Sequence, residues 1–87
     1  MAIGNWEIGS ATVMTAGSSA QIKTGQGGLL GIYASVAGTA NIYDGIGANG
    51  LVMSAIPIAA GWNWIPIAFG TGLYVALTTA AGSVVWA

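Results

Sequence analysis

The sequence has no cysteine and no histidine, and its formally charged side chains are three in 87 residues: Glu7, Lys23 and Asp44. Without cysteine there is no disulfide, and the two absences together remove thiolate and imidazole metal sites. A lack of cysteine does not locate the protein; it removes dependence on redox compartment. The scarcity of charge excludes more. From Gly45 to Ala87 no side chain carries a formal charge. An ordinary globular chain is about a quarter charged, because ionised side chains keep monomers soluble and apart. The physical expectation is that much of the outside lies against other copies or other proteins, leaving Ser, Thr, Asn, Gly and Ala to face the remaining water.

The same inventory bounds the chemistry. Nucleic-acid affinity comes largely from Lys and Arg neutralising phosphates, and Lys23 is the only such residue; aromatic rings alone do not make an electrostatic channel for a single strand. General acid–base work needs titratable groups placed by partners, and one Glu, one Asp, one Lys and three Tyr are the whole supply. Spacing permits a Glu7–Asp44 carboxylate pair, but Asp44 directly precedes Gly45, where an Asx-type bond to its own turn is the usual role. An activated nucleophile would require a Ser–Lys pair. The expectation is a protein that is not an enzyme and uses no cofactor, metal or small-molecule substrate.

One formal motif occurs: Gly45-Ile46-Gly47-Ala48-Asn49-Gly50 spells G-x-G-x-x-G. A dinucleotide fingerprint opens a helix and is followed about twenty residues later by an acid. Here Pro57 cuts off a helix and no acid follows, so the segment reads as a glycine-rich loop between strands.

A chain of 87 residues is one small domain, able to bury only about 60 to 65 % of its unfolded surface. Its 55 % hydrophobic content is the opposite of the signature of disorder, and further stability is expected from association. The apolar run from Leu51 to Leu77 is long enough to raise a membrane span. It is broken by Pro57, Gly61, Pro66, Gly70 and Gly72, and no Lys or Arg flanks it. A membrane barrel is disfavoured too, since strands of about six residues fall short of the 9 to 11 that cross a bilayer. The opening Met1-Ala2-Ile3-Gly4-Asn5-Trp6-Glu7 lacks the features of a secretory signal, and synthesis in a cytoplasm is expected.

Gly and Pro also decide the fold class, costing about 1 and 3 kcal/mol relative to Ala inside a helix. The longest stretch free of both is Leu73 to Ala81, nine residues, below the mean helix of about 11 to 12. Between the breaks lie runs rich in Val, Ile, Thr, Tyr and Trp. They place strands near 11–16, 20–24, 29–37, 39–43, 51–56, 62–68, 72–79 and 83–86. Alternation supports them: Leu30, Ile32, Ala34 and Val36 share one face against Tyr33 and Ser35, and Leu73, Val75 and Leu77 oppose Tyr74, Ala76 and Thr78. Gly38-Thr39, Asp44-Gly45, Asn49-Gly50, Gly61 and Ala81-Gly82 supply reversals. The gaps between glycines vary, which disfavours a repeat architecture. The expectation is an all-β protein, a small antiparallel β-sandwich or jelly roll of about eight short strands. Residues 1–20 would be an N-terminal arm, packing on a neighbouring subunit, or a first strand, with residues 21–87 forming the domain.

Trp62 and Trp64 flank Asn63 on one strand and project to the same face, where Trp6 and Trp86 are candidates to join them. An aromatic pair beside an amide is one form of a sugar-stacking platform. Large aromatics in a small domain are more often core or subunit-interface anchors.

The order Asn41-Ile42-Tyr43-Asp44-Gly45, Gly50 opening the next strand, Ile65-Pro66-Ile67-Ala68-Phe69, then Gly72-Leu73-Tyr74-Val75-Ala76-Leu77-Thr78, resembles small virion proteins of tailed bacteriophages over about Gly28 to Ala87. The resemblance implies a β-sandwich that decorates or cements a capsid, typically as homotrimers where capsomers meet. Such a protein binds the major capsid protein on the virion surface and strengthens the shell without catalysis. A glycan-binding or structural module of a tail or fibre is the alternative. On this reading the interface residues are Trp6, Tyr33, Trp62, Trp64 and Trp86.

Overall fold

A computed structural model describes residues 10–87, which fold into eight strands without a helix. In chain order they are β1 (Ser10–Met14), β2 (Ser19–Thr24), β3 (Gly27–Val36), β4 (Gly38–Asp44), β5 (Leu51–Ile58), β6 (Gly61–Phe69), β7 (Gly72–Thr78) and β8 (Ala81–Trp86). They make two four-stranded antiparallel sheets, ordered β1-β8-β3-β6 and β2-β7-β4-β5. The first half of the chain pairs with the second in reverse: β1 with β8, β2 with β7, β3 with β6 and β4 with β5. A long hairpin wound over two sheets in this way is a jelly roll. Every strand expected from the sequence is present, with ends differing by a few residues.

Of the two roles expected for the first twenty residues, residues 10–14 take that of a strand, and β2 begins at Ser19. Met14 points into the core and pairs with Gly82. Trp6, the Glu7 partner of the considered carboxylate pair, and an arm over residues 1–9 lie outside the described residues.

The core lies between the sheets and follows from period-two alternation. Leu73, Val75 and Leu77 on β7 are all buried, as are Ile32 and Val84, which pair across β3 and β8. No polar or charged side chain is buried among the described residues. One expected face is corrected. The pairing of β3 with both neighbours shifts between Leu29 and Gly31, so Leu29, not Leu30, joins Ile32 and Ala34 in the core. Val36, past a second shift, is exposed. An extra residue in one strand reverses the parity of everything before it.

The connections β2–β3, β4–β5 and β6–β7 are tied together at one end of the sandwich. Gly25 N donates to Thr71 O at 2.8 Å and Gly45 N to Gly72 O at 3.0 Å. The G-x-G-x-x-G segment is the β4–β5 loop there. Gly50 needs its glycine because it has φ +71° and a Cβ would overlap the carbonyl oxygen of Asp44.

Candidate functional site

The register of the β1-β8-β3-β6 sheet fixes which side chains share its outer face. Thr12, Val84, Ile32 and Asn63 form a cross-strand row whose Val84 and Ile32 are buried, so the rows on either side point outward. One is Ala11, Val85, Gly31, Trp64; the other is Val13, Ser83, Tyr33, Trp62. Val13 is 79 % exposed, Tyr33 56 %, Trp62 49 % and Trp64 63 %. None of the four strands contains a charged residue.

Gly31 shapes this face. A Cβ there would stand 2.8 and 2.9 Å from Cζ2 and Cη2 of Trp62 and would overlap the carbonyl oxygen of Asn63. Glycine therefore lets the indole of Trp62 lean diagonally from β6 onto β3, a contact within reach of an aromatic side chain. Trp62 and Trp64 lie 6.2 Å apart with planes tilted by 47°. The result is an aromatic ridge over β6 and β3 beside a low shelf over β8 and β1.

Asn63 is not part of that surface. Its Oδ1 accepts from Ala59 N at 2.9 Å, and its Nδ2 donates to Ala59 O at 2.8 Å, Gly61 O at 3.1 Å and Ile32 O at 3.2 Å. The amide is spent on the β5–β6 turn. Trp86, expected to accompany the other tryptophans, packs against the core, donates from Nε1 to Thr12 Oγ1 at 3.2 Å, and has Lys23 Nζ 5.6 Å from its ring. Thus Tyr33, Trp62 and Trp64 share a surface, whereas Trp86 lies on the inner side of the same sheet.

The other sheet presents a different exterior. Its outer side carries the edge-to-face pair Tyr43 and Tyr74, at 5.6 Å and 75°, with Tyr74 Oη bonded to Ser19 Oγ at 3.0 Å. Gln21 bridges three elements: Nε2 donates to Lys23 O, Gly45 O and Leu73 O, and Oε1 accepts from Gly47 N at 2.7 Å. At the edge of this sheet, β5 exposes a second apolar strip, Leu51, Val52 and Met53.

Asp44 differs from its expected role. Its carboxylate caps the β6–β7 turn, accepting from Gly70 N at 3.0 Å, Thr71 N at 2.8 Å and Gly72 N at 3.3 Å. The pairing of Asp44 with Leu73 brings the end of β4 beside that turn, and Gly70-Thr71-Gly72 turns three N–H groups toward one anion. Hydrogen bonds from Gly70 first, then Thr71, lower its pKa against a smaller opposing effect of desolvation, with Gly72 adding to the lowering. The sequence holds a signal for this in the Gly-Thr-Gly turn, but only the register names its anion.

Among the described residues there is no pocket and no group of three or more metal-ligating side chains. No described helix is long and apolar enough to cross a membrane. The arrangement defines an all-β jelly-roll sandwich whose chemistry lies in bare surfaces. No protein-family model, curated protein or solved structure matches the chain.

Proposed function

We propose that this chain is a structural protein of a tailed-phage virion, a decoration or cement subunit that associates with itself as a trimer and binds the major capsid protein. The observation that carries the reading is the surface: two separate apolar areas, the face bearing Val13, Tyr33, Trp62 and Trp64 and the strip Leu51 to Met53, on strands that hold no charged residue. A subunit that joins both its own copies and a shell needs two such areas. Contacts that are weak singly become stable when several copies engage neighbouring sites, and so few charges leave the attachment little affected by salt.

The test is the mass of the purified chain by light scattering, followed by co-sedimentation with empty phage capsids. A trimer that pellets with capsids is expected; a monomer that stays in the supernatant refutes the reading. The exposure of Trp62 and Trp64 keeps one second reading, a glycan-binding module of a tail or fibre. The 47° tilt between the rings and the commitment of Asn63 to its turn weigh against it. Glycan-array binding that disappears in Trp64→Ala would favour it.

A further inference from the structure

The outer face of the β1-β8-β3-β6 sheet has two unlike halves. Trp62, Trp64 and Tyr33 stand up over β6 and β3, while β8 and β1 offer Ser83, Val85, Ala11 and, at the far margin, Val13. We infer that this face is closed by a second copy of this chain, the aromatic ridge of one copy lying on the small-residue shelf of the other. The inference rests on the self-association in the function proposed above and not on its capsid attachment.

Three features select a second copy. First, the face carries no formal charge, so two copies meet without desolvating an ion, which is costly unless that ion is paired. Second, the three aromatic side chains alone supply a little under half of the area required. With aromatic side chains of about 150 to 250 Å² each, the exposures of Trp62, Trp64 and Tyr33, 49, 63 and 56 %, present roughly 350 Å². A stable interface takes about 800 Å² from each partner, and Val13, Val85, Ser83, Ala11, Pro66 and Ala68 extend the same face. Third, the shape is self-complementary. An axis parallel to the strands, through the boundary of β3 and β8, exchanges ridge and shelf while preserving each row. It sets Val13 against the neighbour's Trp62 and Ala11 against the neighbour's Trp64. A twofold axis closes the whole face of both copies in a pair, whereas a threefold axis keeps the pairing of ridge with shelf but sets the ridge of each copy on one neighbour and its shelf under another; ridge on ridge would leave both shelves uncovered.

A charge exchange tests this placement. Within one copy Val13 and Trp62 end opposite edges of a row, three strand spacings or about 14 Å apart, so they do not pair internally. Light scattering of the unmodified chain is expected to give two or three times 8.6 kDa. Val13→Glu and Trp62→Lys are each expected to give monomers with unchanged β-sheet circular dichroism, because both side chains are exposed. The double variant Val13→Glu/Trp62→Lys is expected to recover the oligomer, since each Glu meets a Lys of the neighbour. Ala11→Glu, in the row ending at Trp64, provides a second disruption independent of Trp62. A monomeric parent chain, an oligomer that survives both Val13→Glu and Ala11→Glu, or a double variant that stays monomeric would overturn the inference. An oligomer that fails to pellet with capsids removes the virion reading and leaves this contact standing; a monomer that pellets does the reverse.

Discussion

Replacing Asn63 with alanine separates a side chain that holds a turn from one that touches a ligand. Its two short bonds to Ala59, at 2.9 and 2.8 Å, close the β5–β6 connection, and the bonds to Gly61 O and Ile32 O are longer at 3.1 and 3.2 Å. Net hydrogen bonds contribute about 1 kcal/mol each, and the turn is partly exposed, so the released groups near it regain water. Counting the two short bonds fully and the longer ones as nearly replaced by water, Asn63→Ala is expected to cost about 2 kcal/mol. For a domain of this size that lowers the melting temperature by about 8 to 16 °C and the urea midpoint by about 1 to 2 M. The assay is urea unfolding followed by tryptophan fluorescence, with the slope unchanged because the surface exposed on unfolding is the same. A loss below about 0.5 kcal/mol, within the range of ordinary surface substitutions, would refute the structural role and return the amide to the aromatic surface as a ligand contact.

Gly31→Ala is expected to destabilise by about 1 to 3 kcal/mol, since the new methyl meets the Asn63 carbonyl and the Trp62 ring; a urea midpoint equal to that of the parent would show that β3 and β6 part freely. Asp44 has a folded pKa lowered by Gly70 and Thr71. Its stabilisation is therefore full above the unfolded value of about 3.9 and is lost as pH falls from there toward the folded value. Urea midpoints measured between pH 7 and pH 3 should fall less in Asp44→Asn than in the parent, and equal falls would remove the cap from the account. On the proposed function, Trp62→Ala is expected to weaken trimerisation or capsid attachment by about 2 kcal/mol or more, as a hot-spot aromatic does; an unchanged oligomer with unchanged capsid occupancy would take Trp62 off the contact surface.

The strands were legible in the sequence because glycine and proline mark their ends and Leu73, Val75 and Leu77 alternate cleanly. The inward face of β3 was not, because an irregularity at Leu29 and Gly31 depends on pairing with β6 and β8 at once, which no local pattern encodes. Trp62 and Trp64 were found by their spacing, and strand geometry alone placed them together. Trp86 has the same residue type but the opposite parity, being two residues from the buried Val84. Apart from Lys23 O, two residues from Gln21, the partners of Asp44 and Gln21 lie 24 to 52 residues away in sequence, so their roles emerge only when the two halves of the chain are wound together. One valine on a short strand, such as Val13, carries no signal of its own; the row ending at Trp62 gives it meaning.

The distribution of polar groups and prolines bears on how the proposed assembly would avoid aggregation. Asn63, Asp44 and Gln21 are turned onto backbone at the two ends of the sandwich, so the strongest polar side chains close loops and leave the sheet faces bare. Exposed strand edges are the usual route to uncontrolled association. Both prolines lie on edge strands, Pro57 in β5 and Pro66 in β6, and Lys23 lies on the edge strand β2. At β5 there is also Ala55, whose φ of 51° falls where the pairing with β4 shifts register and whose N–H is already taken by Asn41 Oδ1 at 2.7 Å. Backbone addition is thus hindered where the backbone is open, while the side chains of the β1-β8-β3-β6 face remain free. Edge pairing recognises any extended chain, whereas a ridge and shelf recognise a particular shape. The self-association proposed above is of the second kind, which suits a protein with almost no charge to keep its copies apart.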